Sequence, residues 1–210
     1  EQPTPDREAR FVAALHDAGK ASQDEMLSMA RLVSLQNIIV DPRYAQSAYR
    51  TDQNYVGETL PNYRQRIHFV PPPPQFVYSL MDGLGEFLKK STGSPPLTRA
   101  AIAAFGFVFV HPFEDGNGRL HRFLIHDVLA LDGYIPAGVI LPVSAWMLKN
   151  LAGYDKCLEA YARPLMELLR YDLDQEAQLT GRTPPACEAI YRYPDLTTQV
   201  AYLATAVEGA

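Results

Sequence analysis

His111 to Arg122 reads H-P-F-E-D-G-N-G-R-L-H-R, a proton acceptor, a carboxylate, a glycine-flanked turn and two arginines in one short stretch. The apolar run Ala100 to Val110 precedes it, and Leu120, Phe123, Leu124, Val128 and Leu129 follow at helical spacing. A loop that opens into a helix presents backbone N–H groups without intrahelical partners, a ready seat for phosphate oxygens. Gly116 and Gly118 carry no Cβ, so the chain can turn tightly there and approach a ligand closely. Arg119 and Arg122 are three apart, on one helical face by spacing, where two guanidiniums can grip one polyanion. His111 stands before this anion loop, and an imidazole of ordinary pKa, about 6.5, can take a hydroxyl proton near neutral pH. Asp115 offers the hard oxygen that Mg²⁺ prefers, with phosphates and water filling the other positions. Asn117 and the N–H groups around the two glycines suit inner phosphate oxygens, and the arginines suit the outer ones. Phe113 reads as an inward-packing anchor. The stretch is a candidate nucleotide-phosphate site.

Such a loop needs a scaffold, and the periodicity supplies one made of helices. Apolar residues recur from Glu8 to Ala18 and stop at Gly19. Ser22, with Glu25 three residues on, reads as the cap of a helix over Met26 to Leu35. Asp41 to Tyr63 is turn-rich, Arg64 to Val70 suits a short extended piece, and Pro71 to Pro74 end it. Gln75 to Lys90 is helical, as is Leu97 to Val110, with Thr98 as the available cap. That second run is apolar on more than one face, which points to the centre of a bundle. Asn117 to Leu131 follows, closed by Gly133. Beyond a loop at Tyr134 to Pro142, the pattern suggests one or two helices over Val143 to Ala162 and another over Pro164 to Gln178. Pro184 and Pro185 mark a joint before a last helix at Thr197 to Glu208. The expected fold is an all-α bundle with one short hairpin before the prolines.

The stretch from His111 also resembles the signature of the Fic family, H-x-F-x-[D/E]-G-N-G-R-x-x-R, at His111, Phe113, Asp115, Gly116, Asn117, Gly118, Arg119 and Arg122. Upstream, Tyr49 to Gly57 is similar to the family's F-R-x-x-x-N-W-I-G segment, and Phe69 to Pro74 to its F-V-P-P-P-P segment. The resemblance covers about residues 25 to 170, with 171–210 as a helical extension of a single domain. It implies a protein adenylyltransferase: AMP passes from ATP to a Ser, Thr or Tyr hydroxyl of a target protein, with His111 as base and Mg²⁺ on Asp115. It also implies that Arg66, Ile67, His68 and Phe69 form a flap docking the target by strand addition. Tyr154, with Asn150, falls loosely where the family holds adenosine. Transfer of UMP, GMP, phosphocholine or phosphate is the alternative, as is a regulatory module that binds nucleotide without turnover. Gly118 in place of a lysine favours a nucleoside triphosphate with its α-phosphate at the helix start.

Many Fic proteins carry an inhibitory [S/T]-x-x-x-E-[G/N] helix, and no full match occurs here. Thr4 to Glu8 has the spacing but Ala9 follows, and Glu208-Gly209 has the ending but Ala204 stands where Ser or Thr belongs. An inhibitory segment, an antitoxin-like partner or a homodimer thus stays open. The chain begins at Glu1, which suggests processing or excision from a longer protein.

Composition bounds the rest. With 210 residues, 47% hydrophobic and 20% charged, the chain can bury a proper core. A formal charge of −5 argues against a general nucleic-acid binder. No run is apolar enough for a membrane span and no signal-peptide pattern opens the chain, so the expected setting is the cytoplasm, with Cys157 and Cys187 as reduced thiols. His121 and His126 read as structural histidines. Trp146 and the tyrosines between 191 and 202 read as packing residues, and Glu114 as solvated.

Overall fold

Small and aromatic residues let one helix sit at the centre, and Pro96–Val110 does so, with Ala100, Ala101, Ala103, Ala104, Phe105 and Phe107 excluded from solvent. The computed structural model describes residues 5–61, 64–136, 139–174, 179–182 and 185–210. Its helices are α1 (Pro5–Leu15), α2 (Met29–Ile39), α3 (Pro74–Lys90), α4 (Pro96–Val110), α5 (Asn117–Leu131), α6 (Val143–Lys149), α7 (Leu151–Leu168), α8 (Pro185–Arg192) and α9 (Thr197–Glu208). Helix α4 packs chiefly on α5, and also against α3 and α9. The α5 residues Leu120, Phe123, Leu124, Val128 and Leu129 are fully buried, as their spacing predicts. Gly106 allows α3 to come close, because a Cβ there would lie 2.8 Å from Leu84 Cδ1.

Strands β1 (Val56–Thr59) and β2 (Gln65–Phe69) pair antiparallel, with Gly57 opposite Ile67 and Thr59 opposite Gln65. This is the hairpin expected before the prolines. β1 is exposed throughout, whereas β2 alternates and ends with Phe69 in the core.

Buried charges fasten the ends of the two central helices. Asp127 on α5 accepts from Arg31 Nη1 at 2.6 Å and from the Gly19 N–H at 2.9 Å. Arg99 on α4 reaches Asp132 at 2.6 Å, the Leu88 carbonyl and the Ser91 hydroxyl, each at 2.7 Å. Charges taken from water in this way must be hydrogen-bonded to be tolerated.

Three expectations about helix ends need correction. Ser22 and Glu25 do bond, with Oγ to Oε2 at 2.8 Å, but they close a single turn. Met26 and Leu27 then drop into the core, and α2 begins at Met29 with Ser28 as its cap. Thr98 lies inside α4 and caps nothing; Pro96 occupies the first turn instead, where its missing N–H costs nothing. The helix expected over Pro164 to Gln178 is absent. α7 runs through Pro164 to Leu168, and Leu169 turns to extended backbone. Strands β3 (Arg170–Leu173) and β4 (Leu179–Arg182) then form a second hairpin, with Tyr171 opposite Gly181. Alternation of Arg170, Tyr171, Asp172 and Leu173 satisfies a strand of period two; Gln178 itself lies outside the described residues.

The C-terminal helix appears as expected. Its Tyr202 lies 6.1 Å from the Trp146 ring, and Gly209 sits so close beneath the indole that no side chain fits there. Tyr191 is buried and its hydroxyl donates to the Val70 carbonyl at 2.8 Å, but Tyr193 is 82% exposed, contrary to the expectation of a packing residue. Cys157 and Cys187 are free and buried. No described helix is long and apolar enough to cross a membrane.

Candidate functional site

α4 ends at His111, whose φ of 51° is left-handed, and this turn swings the chain away from the helix axis. It is the one positive φ outside glycine among the described residues. Such a conformation is strained for a residue with a Cβ. The ring Nδ1 lies 3.2 Å from the Val108 carbonyl. A carbonyl can only accept, so Nδ1 carries the proton and Nε2 keeps its lone pair. Burial pulls the imidazole pKa down to about 4, with a further push from the Arg50 charge. His111 is therefore neutral at physiological pH, with Nε2 as an acceptor.

The loop behind it is held from both sides. Phe113 is fully buried, in edge contact with Tyr49 at 5.5 Å between ring centres. Asn117 closes the loop on itself: its Oδ1 accepts from the Phe113 N–H at 3.1 Å and its Nδ2 donates to the Phe113 carbonyl. Gln36 on α2 donates to the carbonyls of Tyr44 and Asp115. Gly116, at φ 95°, is the N-cap of α5, and a Cβ there would come within 2.8 Å of Val40. Only glycine meets both demands.

At the start of α5, the Arg119 and Leu120 N–H groups turn back to the Gly116 carbonyl. The N–H groups of Asn117 and Gly118 have no partner among the described residues, which leaves two donors at the positive end of the helix. Above Gly118 the nearest group to an added Cβ is Arg122 Nη1, 3.7 Å away. Arg122 makes no ion pair among the described residues; burial is the first cause that lowers its pKa, and Tyr154 and Arg119 are the charges it feels. Tyr154 lies on α7, half-buried, with its ring stacked 6.0 Å from His121.

The two arginines make different contacts, although their spacing puts them on one helical face. Arg119 donates through Nη1 to the Ile39 carbonyl at 2.8 Å and through Nη2 to both Asp115 oxygens at 3.1 Å. Its reach is used on α2 and on Asp115, while Arg122 points over Gly118. Asp115 is 37% exposed and also accepts from the Gly116 N–H. Among the described residues no cluster of three metal-binding side chains exists.

In the first hairpin, Arg66 and His68 are exposed and face Glu58, at 3.0 and 3.6 Å. Ile67 is half-buried. Phe69, expected in the flap, is a core residue instead, packed on Phe109 and Tyr161. It anchors the hairpin and has no surface to offer a partner. Asn150 is exposed; its Nδ2 donates to the Trp146 carbonyl at 2.9 Å and its own carbonyl accepts from the Tyr154 N–H at 3.1 Å. His121 is structural, bonded to the Ala104 carbonyl at 2.9 Å, and His126 is buried. Glu208 is exposed and not paired with Arg122. Thr4 lies outside the described residues, as does the Glu8 side chain.

Gln36, Arg50 and Asn54 were not singled out as site residues by sequence, yet all three bond main-chain groups of the loop. Polar residues at α2's apolar spacing and in the turn-rich segment were the available signal.

Comparison with known proteins agrees with this geometry. Residues 26–129 match the sequence model of the Fic/DOC family. Protein adenylyltransferase fic-1 of Caenorhabditis elegans is 38% identical over 130 residues, 61% of this chain and 22% of that protein. The Caenorhabditis briggsae fic-1 is 38% identical over 58% of this chain and 21% of its own length. The chain thus spans about a fifth of the length of the curated relatives it matches. Among solved structures, a Fic domain containing signaling protein from Bacteroides thetaiotaomicron matches with a TM-score of 0.59 at 19% identity, over 97% of this chain and 71% of that one. A Fic family protein from Desulfovibrio desulfuricans gives 0.54 at 23%, over 99% and 55%. These two likenesses establish the fold.

Proposed function

We propose that this chain, which belongs to the Fic/DOC family, is a single protein adenylyltransferase domain. The observation that carries the reading is the pairing, in one loop, of a neutral histidine with an open Nε2 and a helix start with two unpartnered N–H groups.

In the proposed reaction the Asn117 and Gly118 N–H groups hold α-phosphate oxygens of ATP, and Arg122 holds the outer phosphates. The hydroxyl oxygen of the target attacks the α-phosphorus as its proton passes to His111 Nε2. The bond from the α-phosphorus to the β-bridging oxygen breaks, and pyrophosphate leaves with that electron pair. Fixed donors at the developing charge and a positioned base are what such a transfer requires. Asn117, bonded twice to Phe113, shapes the loop, and Arg119 holds Asp115 and the end of α2. Tyr154, stacked on His121 beside Arg122, flanks the nucleotide.

Asp115 suits Mg²⁺: one partly exposed carboxylate, outside any cluster of three metal-binding side chains among the described residues, fits a hard ion carried largely by phosphate and water. Bound there, the ion neutralises phosphate charge. The target is a protein with a Ser, Thr or Tyr hydroxyl, whose segment lies along the hairpin at Arg66, Ile67 and His68. Two buried free thiols fit a cytoplasmic setting. Regulation by an inhibitory segment or partner acting on Arg122 is part of the same reading.

The test is mass spectrometry of candidate proteins incubated with this chain, ATP and Mg²⁺. One adenylyl group on a hydroxyl side chain is the expected adduct. A phosphate adduct from ATP, or a uridylyl, guanylyl or phosphocholine adduct formed only in parallel incubations with UTP, GTP or a nucleotide-activated phosphocholine, replaces the transferred group, and no adduct with tight ATP binding leaves a nucleotide-binding module.

A further inference from the structure

Arg50 is 2% exposed, and a buried guanidinium is tolerated only where polar groups surround it. Its side-chain hydrogen bonds all go to main-chain carbonyls, and Glu114 and Tyr191 are the side chains whose charges act on it. Nε donates to His111 and Nη1 to Asp52, each at 2.9 Å. Nη2 donates to Pro72 at 2.5 Å and to Val110 at 3.4 Å. The Arg50 N–H adds a bond to the Pro112 carbonyl at 2.8 Å.

These carbonyls belong to two places. Val110, His111 and Pro112 are the end of α4 and the start of the loop; Pro72 lies in the proline run that follows β2. Neighbouring residues repeat the division. Gln53 Nε2 donates to the Pro71 carbonyl at 3.0 Å, and Asn54 Nδ2 to the Phe113 carbonyl at 3.2 Å. Residues 50 to 54 thus clip the exit of the first hairpin to the residues around His111.

His111 has need of such a clip. Its left-handed backbone is strained, and strain of this kind persists only where the surroundings over-determine it. Arg50 takes the carbonyls of both Val110 and His111, the two peptide groups that meet at the turn.

We infer that Arg50 is a positioning residue that locks the strained His111 turn to the proline run behind β2, so that the base and the target-docking strand keep one relative placement. The inference rests on the proposed roles of His111 and the hairpin. A lysine has no planar fork and cannot span these carbonyls, so Arg50→Lys keeps the charge and loses the clip.

The experiment compares the wild-type chain with Arg50→Lys and Gln53→Leu, using the acceptor protein identified by mass spectrometry. Arg50→Lys is expected to lower kcat about 100-fold, the cost of a small misplacement at a reacting centre, while ADP affinity by calorimetry stays at the wild-type value. A folded Arg50→Lys with wild-type kcat overturns the assignment, and so does a joint fall of kcat and ADP affinity. Should Arg50→Lys fail to fold, Gln53→Leu carries the test, because it removes the bond to the Pro71 carbonyl, and a local one to the Asn54 carbonyl, but no bond to residues 110–113: a fall in kcat with ADP affinity unchanged supports the clip, and an unchanged kcat overturns it. Absence of AMP transfer by the wild-type chain instead defeats the functional reading. The clip is then read by NMR in Arg50→Lys or, if that variant is unfolded, in Gln53→Leu: a displaced His111 Cα resonance with the Gly118 amide unmoved supports it, and an unmoved His111 overturns it.

Discussion

The loop at 111–118 and the hairpin of β1 and β2 are built by opposite means. Side chains fix the loop at nearly every residue: Phe113 in the core, Asn117 folded back on Phe113, Gln36 on the Asp115 carbonyl and Gly116 under Val40. The hairpin is fixed at its far end by Phe69, and its other residues are exposed or half-buried. Among the described residues β2 has no strand partner but β1. An edge of that kind offers main-chain groups, which read any sequence alike. The difference teaches a division of labour. On the proposed reading, chemistry is given a rigid frame, and partner choice is left to a surface that can be altered without cost to the frame.

Substitutions in the two regions should therefore fail differently, and the largest effect belongs to the loop. His111→Ala is expected to lower the transfer rate by ~10²- to 10⁴-fold with ATP binding retained, since a general base is removed and the phosphate seat is not. A radiolabelled-ATP assay beside calorimetry checks it; a mutant with near-normal transfer breaks the comparison at its strongest point. Next comes Arg122→Ala, for which loss of a charge-assisted contact worth about 1.5–3 kcal/mol predicts ATP affinity weakened by roughly 10- to 150-fold. ADP should lose less, whereas Gly118→Val should weaken both nucleotides. Equal losses for ATP and ADP in Arg122→Ala would move that arginine off the outer phosphate.

In the hairpin, Ile67→Pro removes one main-chain donor from β2, and the target KM is expected to rise about tenfold, one lost hydrogen bond's worth. ATP affinity should not change; if it does, the two regions are not separable. Smaller still is Arg66→Ala, expected within about 0.5 kcal/mol of wild-type stability, as for an exposed pair. Phe69→Ala, in the same strand, should cost ~3–5 kcal/mol because it empties a core site. Thermal denaturation of the pair would locate the boundary between surface and frame within four residues of chain.

Acid offers a further probe. Burial lowers the folded-state pKa values of His111, His121 and His126 to about 4 from 6.5. The unfolded chain takes up protons that the folded one refuses, so stability is full above about pH 6.5 and is lost as pH falls toward 4. The acid limb of kcat/KM should lie below 6.5 for the same reason.

The loop and α5 were legible because few residue types satisfy their demands, and spacing alone identified Gly116 and the buried face of α5. The central place of α4 was legible from its apolar faces. What sequence could not show was the direction of side chains. Arg119 and Arg122 share spacing, but Arg119 is drawn to the Ile39 carbonyl and Asp115, partners 80 and 4 residues away. The role of Arg50 is not legible in sequence, since its carbonyl partners lie in two remote segments. The second hairpin is hidden in the sequence because a proline reads as the opening of a helix, whereas Pro164 sits inside α7.

Trp146 is the single tryptophan of the chain, set between Tyr202 and Gly209 where α6 meets α9. Tyr202 in turn lies 6.0 Å from Tyr154, whose charge environment includes Arg122. The protein thus carries its own optical probe. Indole emission is expected to report the seating of the C-terminal helix and, on the proposed reading, to respond through the two tyrosines to nucleotide at Arg122, without a label.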